Sequence, residues 1–158
     1  MSQIINNMKV TTISDKCINL VKSFEGFFPN PYLCPANVPT IGYGTILYPN
    51  GKKVTLKDYH CSEEQAIEWM RFELNQKAKE VDAMTIDTIN QCQFDALVSF
   101  AYNCGSGALK GSTLLKRVNN NPADLTIVDA FLMWTKADGK TLAGLVSRRK
   151  AEAKLYFS

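Results

Sequence analysis

Four prolines, Pro29, Pro31, Pro35 and Pro39, lie close together in the N-terminal third of this 158-residue chain. A proline has no N–H to donate within a helix, and it disfavours helical backbone in the residue before it. An α-helix therefore cannot run through this stretch. The local structure must change here, and the segments on either side are predicted separately.

The segments that flank the prolines have different hydrophobic patterns. Before the prolines, Ser14 is a suitable N-cap and apolar residues recur at helical spacing, which predicts a helix from about Asp15 to Glu25. After the prolines, residues 40–48 are rich in β-branched and aromatic side chains and are followed by a turn signal and by residues 52–56. This pattern predicts a β-hairpin, with room for a third short strand.

The remainder of the chain has a helical pattern. Two capping-box pairs, Ser62 with Gln65 and Asn90 with Gln93, each indicate the start of a helix. Helices are predicted over about residues 62–81, 90–105, 112–118, 122–134 and 143–156. The 90–105 helix is the most apolar, and it is expected at the buried centre of the helical part.

These elements predict an α+β fold in a single domain over residues 1–158. A small β-hairpin lobe occupies about residues 14–60, and a larger helical lobe occupies about residues 61–158. The charge balance is 18 Lys and Arg against 15 Asp and Glu, a net charge of +3. This balance excludes an acidic disordered chain and argues against a nucleic-acid partner, which would need a stronger positive footprint.

The cysteines and the apolar stretches indicate the compartment. Five cysteines cannot all form internal disulfides, and none stands in C-x-x-C spacing, so no metal or cofactor is expected. The N-terminal sequence MSQIINNMKVTT has polar residues where a signal peptide would have an apolar core. No apolar stretch approaches the roughly 20 residues of a membrane span. We therefore expect folding in a reducing cytoplasm, without stable membrane insertion.

Glu25 is the first candidate for chemistry. No other carboxylate occurs between Gly26 and Lys57, and Glu25 is predicted at the negative end of a helix. That end, together with packing against Phe24 and its aromatic neighbours, disfavours the carboxylate form. A glutamate kept protonated in this way can act as a general acid. The alternative is a solvated glutamate at a fraying helix end.

Glycoside hydrolysis is one reaction that uses such a general acid. It usually needs a second group, opposite the acid, that holds or deprotonates a water molecule. The proline-rich stretch offers Cys34, Asn37 and Thr40, none of which is a carboxylate. Cys34 can serve as a thiolate or as a neutral thiol that orients water, and Thr40 can hold the same water through its hydroxyl. The alternative for Cys34 is a small buried apolar residue.

Three segments resemble the bacteriophage endolysins of the phage-type lysozyme family, glycoside hydrolase family 24. That family has a Glu, eight residues, an Asp or Cys, five residues and a Thr, and Glu25, Cys34 and Thr40 fit this spacing without a gap. The segments that resemble the family's central and C-terminal helices are residues 93–105 and residues 144–152. Together the matches extend over about residues 14–157.

The resemblance implies a lysozyme-like fold, in which the two lobes flank a cleft, and a muramidase activity. The bond cleaved would be the β-1,4 bond between N-acetylmuramic acid and N-acetylglucosamine in peptidoglycan. Glu25 matches the general acid, Cys34 the residue that positions or activates water, and Thr40 the residue that helps to hold it. The positions that match substrate-binding ones are Gly42, Gly44, Tyr102 and Asn103. Arg148 or Arg149 would steady the acid or contact the peptide.

The same resemblance implies a partner and a route. The protein would act as a monomer on peptidoglycan, would accumulate in the host cytoplasm, and would reach the wall through a lesion made by a separate membrane protein. Two departures bear on the mechanism: Thr45 stands where the family often has a His, and Cys34 replaces the commoner Asp. The resemblance implies inversion at the anomeric carbon, and a covalent route through Cys34 would give retention.

Two other functions compete with this interpretation. Cys34 and the single histidine, His60, could form the nucleophile–base pair of a cysteine hydrolase. A non-enzymatic wall- or nucleic-acid-binding module could instead use the basic residues of the last predicted helix. Loss of activity in His60→Ala would favour the hydrolase, and binding that survives without Glu25 would favour the module.

Overall fold

The computed structural model of the chain describes residues 9–158, so most of the N-terminal segment used to predict the compartment lies outside the described residues. The elements, in chain order, are α1 Asp15–Phe24, β1 Phe28–Leu33, β2 Pro39–Gly42, α2 Glu63–Met84, α3 Gln91–Cys104, α4 Ser106–Lys110, α5 Thr113–Asn120, α6 Ile127–Leu132, β3 Lys136–Ala137, β4 Lys140–Thr141 and α7 Ala143–Tyr156. The predicted α+β class, with a small hairpin lobe and a larger helical lobe, is confirmed.

Helix α1 ends one residue earlier than predicted, and this end presents Glu25. The Ser14 side chain accepts a hydrogen bond from the Lys16 N–H at the start of the helix. At the other end, Glu25 is already extended, with φ −103° and ψ 138°, while its N–H still donates to the Val21 carbonyl at 3.1 Å. Glu25 is therefore held by the last turn of the helix and leaves the helical path at its own position.

The hairpin forms earlier in the sequence than predicted. β1 and β2 pair antiparallel, with Tyr32 opposite Thr40, and between Gly42 and α2 the backbone adds only the isolated bridges Ile41–Thr45 and Leu47–Lys53. The predicted pairing of residues 40–48 with 52–56 is present only in part. Around the Leu47–Lys53 bridge, the Tyr48 N–H donates to the Lys52 carbonyl at 2.9 Å and the Val54 N–H donates to the Ile46 carbonyl at 3.0 Å. The proline-rich stretch can supply a strand because both strands of a two-stranded sheet are edges, where an N–H that points away from the partner strand makes no ladder bond.

The helical lobe is built around α3. Every residue from Phe94 to Ala101 is buried, and α3 packs against α1, α2, α4 and α7, which confirms the prediction of a buried central helix. Helix α2 runs three residues beyond the predicted Val81, and α6 begins at Ile127 rather than near Pro122. The short α4 and the β3–β4 hairpin were not predicted. Among residues 9–158, no helix has the length and apolar character needed to cross a membrane.

Candidate active site

Glu25 is paired with a buried arginine. Glu25 Oε1 accepts a hydrogen bond from Arg148 Nη1 at 3.1 Å, and the side chains are 31% and 5% exposed respectively. Both residues line a cavity of about 390 Å³ with Phe24, Asn103 and the first turn of α7. Of the two arginines that the sequence left open, Arg148 is the one that contacts the candidate acid.

The Arg148 contact changes the electrostatics expected for Glu25. The sequence placed Glu25 only at the negative end of a helix, whereas the fold also brings a guanidinium into hydrogen-bond contact with it. The two residues are 123 positions apart, and no local pattern connects them. The resemblance left Arg148 and Arg149 open as the residue that steadies the acid, and the fold selects Arg148.

Arg149 holds the other side of the cavity in place. It is fully buried, its Nη2 donates to Asn103 Oδ1 at 2.6 Å, and its Nε lies 2.8 Å from Glu152 Oε1. Ser99 donates to the second oxygen of Glu152 at 2.6 Å. Because an arginine can only donate, the Asn103 oxygen must face Arg149, which leaves the Asn103 NH₂ group as the donor that other partners can use.

Cys34 and Thr40 lie together at the turn between β1 and β2. The Cys34 N–H donates to the Val38 carbonyl at 3.1 Å, and the buried Thr40 hydroxyl donates to the same carbonyl at 2.8 Å. A backbone hydrogen bond at Val38 lowers the pKa of the Cys34 thiol below its usual value; desolvation opposes this effect and the Thr40 hydroxyl reinforces it. The turn therefore favours the thiolate of Cys34.

Tyr32 connects Cys34 electrostatically with Glu25. Burial raises the pKa of Tyr32 above its usual value, and the charges of Cys34 and Glu25 raise it further. The Tyr32 hydroxyl is therefore within electrostatic reach of both candidate groups. The sequence alone assigns Tyr32 no role.

Tyr102 contacts the half-buried Glu73, which the sequence did not single out. The Tyr102 hydroxyl donates to Glu73 Oε2 at 3.3 Å, and both side chains line a second cavity of about 350 Å³. Burial raises the pKa of Glu73 to about 7, with the Tyr102 hydrogen bond opposing the rise and the charge of Glu25 adding to it. Glu73 lies on α2 between apolar residues, and nothing in the periodicity marks it.

The two hairpin glycines have different surroundings. Gly42 has φ +66°, and a Cβ there would lie 2.9 Å from the Ala66 Cβ, so glycine lets the hairpin approach α2 closely. Gly44 has φ +83° and faces open space. The Thr45 hydroxyl is buried and has no hydrogen-bond partner within residues 9–158, so it does not brace the site as a histidine could.

A different contact braces the hairpin lobe beside Glu25. Glu63, at the start of α2, accepts a hydrogen bond from the Tyr43 hydroxyl at 2.8 Å and forms an ion pair with Lys22 at 2.8 Å. These two contacts connect α1, the hairpin and α2. They hold the end of α1, and with it Glu25, against the strand lobe.

The structure does not bring Cys34 and His60 together. Cys61, next to His60, donates its N–H to the Pro29 carbonyl at 2.9 Å, so the exposed His60 lies beside the start of β1. Cys34 follows the other end of the same strand, where its sulfur has Val38 and Thr40 as hydrogen-bond neighbours. Within the described part of the chain, no group of three or more His, Cys, Asp or Glu side chains could hold a metal ion.

The fold and the site are those of a lysozyme-like protein. It has a small strand lobe and a helical lobe around a buried central helix, and a glutamate at the end of the first helix faces a cavity. The sequence model described as Phage lysozyme matches residues 22–152. The endolysin of Salmonella phage P22 is 32% identical over 146 residues, covering 92% of this chain and 98% of the relative. The chain therefore belongs to the phage lysozyme family.

Solved structures agree with this assignment. The endolysin from Escherichia coli O157:H7 phage FAHEc1 superimposes with a TM-score of 0.84 at 33% identity, covering 96% of this chain and 97% of that one. The endolysin of Bacillus phage B103 is 41% identical over 146 residues. That match covers 92% of this chain and 54% of the relative, so the chain spans about half the length of the first relatives it matches.

Proposed function

We propose that the protein is an endolysin that hydrolyses the β-1,4 bonds between N-acetylmuramic acid and N-acetylglucosamine in bacterial peptidoglycan and so lyses the host cell. The observation that carries the proposal is the position of Glu25 in a chain of the phage lysozyme family. Its carboxyl group lies at the end of α1, beside a cavity lined by both α1 and the helical lobe. A proton donor in such a place can protonate the leaving oxygen of a bound sugar chain.

In this proposal Glu25 is the general acid, and Cys34 and Thr40 position or activate water. The lowered pKa of the Cys34 thiol supports a thiolate that takes a proton from water or stabilises the developing positive charge on the sugar. A water attacking from the Cys34 side would invert the anomeric carbon. A direct attack by the sulfur would retain the configuration in two steps, so the anomer of the first product distinguishes the two routes.

The remaining site residues are proposed to bind the glycan. Gly42 and Gly44 would let the hairpin backbone approach a sugar, and Tyr102 would offer an aromatic surface on the helical side. Asn103, with its oxygen held by Arg149, would donate through its NH₂ group. Arg148 would steady Glu25 rather than react itself.

The proposed reaction uses only water and side-chain protons, so it requires no cofactor or metal. We propose that the protein works as a monomer on the cell wall. The related sequences include endolysins and proteins named SAR-endolysins. Accumulation in the host cytoplasm, followed by passage through a separate membrane lesion, is the route we expect.

The proposal is tested by identifying the bond that the protein cuts. Purified peptidoglycan is digested, the new reducing ends are reduced with borohydride, and the fragments are analysed by mass spectrometry. A muramidase produces fragments that end in reduced muramic acid. Fragments that end in reduced glucosamine, or cleaved amide or peptide bonds, would contradict the proposal.

A further inference from the structure

The first turn of α7 lines the Glu25 cavity without a capping side chain. Its N-cap is Leu142, which makes no side-chain cap hydrogen bond, and no acidic residue lies in the turn. The first N–H groups of a helix have no partner within it, and together they carry partial positive charge. Leu142, Gly144 and Leu145 all line the cavity, so the first turn of α7 forms part of its wall.

A second, independent observation comes from Arg148, on the next turn of the same helix. Arg148 is only 4% exposed and also lines the cavity, yet its Nε and Nη2 have no hydrogen-bond partner within residues 9–158. In this part of the chain, the one hydrogen bond that Arg148 makes runs from Nη1 to Glu25. Glu152 lies 3.7 Å from Arg148 Nε, but the same carboxylate is 2.8 Å from Arg149.

The charges around Arg148 balance only while Glu25 is ionised. Arg148 and Arg149 then face two carboxylates, Glu25 and Glu152. A general acid must carry a proton before it can act, and protonated Glu25 leaves two buried cations facing one carboxylate. A buried cation without a counter-charge is strongly unfavourable. An anion bound in the cavity would restore the balance and release Glu25 from its role as counter-ion.

We propose that the cavity between Glu25 and the first turn of α7 is a binding site for a carboxylate of the glycan substrate, and that this carboxylate replaces Glu25 as the partner of Arg148. The proposal rests on the proposed function and names a substrate group for that same site. The apolar walls, Phe24, Leu142 and Leu145, fit a methyl group beside the carboxylate. Peptidoglycan offers that chemistry twice, in the lactyl group of peptide-free glycan and in the alanine carboxylate at the end of a peptide stem.

Gly144 allows a test that changes charge without changing shape. A Cβ at Gly144 would meet nothing within 4 Å, so a longer side chain fits, and an acidic residue in the first turn of a helix favours folding. Gly144→Glu places a carboxylate of the protein at the proposed site. Gly144→Gln is its neutral match in size.

The experiment measures kcat/KM for the release of reducing ends on four substrates. These are peptidoglycan with its stems and amidase-treated glycan with free lactyl groups, each used directly or after its carboxylates have been amidated with carbodiimide and ammonia. On the substrate that supplies the anion, amidation is expected to lower the wild-type kcat/KM at least tenfold. Gly144→Glu is expected to lose at least tenfold relative to Gly144→Gln on the untreated form, chiefly through KM, and less than twofold on the amidated form.

The possible outcomes distinguish failure of the carboxylate site from failure of the muramidase activity. A loss on amidation confined to the stem-bearing substrate assigns the site to the stem carboxylate, and a loss confined to the peptide-free glycan assigns it to the lactyl group. Equal activity before and after amidation, with Gly144→Glu equal to Gly144→Gln, would overturn the carboxylate site while leaving the muramidase intact. If the wild-type protein released no reducing ends from any of the substrates, the proposed function itself would fail. The amidation series uses the wild-type protein, so it stands whether or not the variants fold.

Discussion

Cys34 lies in a turn whose backbone favours the thiolate, and this residue sets the clearest chemical expectation at the residue scale. The turn between β1 and β2 brings its sulfur close to the Val38 backbone and the Thr40 hydroxyl. An aspartate at the same position would also present a negative charge to the sugar. Cys34 can therefore do the work of a carboxylate only as long as its thiol is free.

We predict that Cys34→Asp retains activity, whereas Cys34→Ala loses activity by roughly a hundredfold or more. Iodoacetamide should inactivate the wild-type protein but not Cys34→Asp. Because the thiol pKa is lowered, alkylation of Cys34 should reach half its maximal rate at a pH below the roughly 8.5 of a free cysteine. Clearing of peptidoglycan and mass spectrometry of the alkylated protein give the two readouts. The control is Cys92→Ala, which should behave like the wild type; equal activity in all Cys34 variants would make Cys34 structural.

The pKa of Glu73 makes the free energy of unfolding depend on pH. Its pKa is about 7 in the folded protein against an ordinary value of 4.5, so the folded state keeps this proton longer than the unfolded state does. The free energy of unfolding therefore falls as the pH rises from about 4.5 to about 7. Ionised Glu73 destabilises the fold because its side chain is half-buried and its Oε1, shielded from solvent, has no hydrogen-bond partner within the described residues.

We predict that Glu73→Gln becomes more stable relative to the wild type as the pH rises from 5 to 8, by roughly 3 kcal/mol at most. Urea unfolding at both pH values measures the difference. Glu68→Gln, at an exposed position on the same helix, is the matched control and should show almost no change with pH. A constant stability difference between Glu73→Gln and the wild type across this range would contradict the raised pKa.

The residues of the site differ in how far the sequence predicts them. Glu25, Cys34 and Thr40 lie within sixteen positions of one another, so their types and spacing could be recognised before the fold was known. For the partner of Glu25, the resemblance left Arg148 and Arg149 open, and Glu73 could not be found from the sequence at all. Arg148 contacts Glu25 across 123 positions, and Glu73 is placed beside Tyr102 by the fold. Neither contact produces a periodic pattern in the sequence.

At the element scale, the start of α1 is fixed to the central helix by one buried carboxylate. Asp95 of α3 is fully buried and accepts hydrogen bonds from the Ser14 N–H at 3.0 Å, from the Ser14 hydroxyl, and from Gln91 Nε2 at 2.8 Å. Ser14 is also the N-cap of α1. The contact therefore determines where α1 begins, and α1 in turn carries Glu25.

We predict that Asp95→Ala lowers the free energy of unfolding by roughly 3 kcal/mol, because hydrogen bonds to a charged group are lost and buried donors are left without partners. Chemical denaturation measures this loss. Asp82→Ala removes a carboxylate from a surface ion pair with Lys9, and it should cost less than about 1 kcal/mol. Equal losses in the two variants would show that the Asp95 contact does not dock α1.

The helices could be predicted because their caps and apolar spacing are local features of the sequence. Ser14, Ser62 and Asn90 all cap helices in the structure. The strands could not be placed because strand pairing depends on a partner. The prolines exclude a helix over 29–39, but only the pairing with β2 shows that part of this stretch is a strand. The β3–β4 hairpin has two residues in each strand, which is too short to produce a pattern.

At the scale of the whole molecule, we infer that the chain forms one domain with two lobes. A single buried core includes Ile41 and Val54 of the strand lobe, Met70 of α2, and Phe94 and Phe100 of α3. Helix α2 contributes to both lobes and packs against β2 and α3. The lobes therefore share one core, and the Glu25 cavity lies where α1 and the helical lobe meet.

The account as a whole depends on proton transfer from Glu25. We predict that Glu25→Gln lowers the rate of peptidoglycan clearing by roughly a hundred- to ten-thousandfold, because the amide has the size of the acid and no proton to give. The Gln oxygen can still accept the Arg148 hydrogen bond, so the circular dichroism spectrum and the melting temperature should stay close to those of the wild type. Glu64→Gln, at an exposed position on α2, should clear at the wild-type rate. A folded Glu25→Gln protein that clears within twofold of the wild type would contradict the central claim.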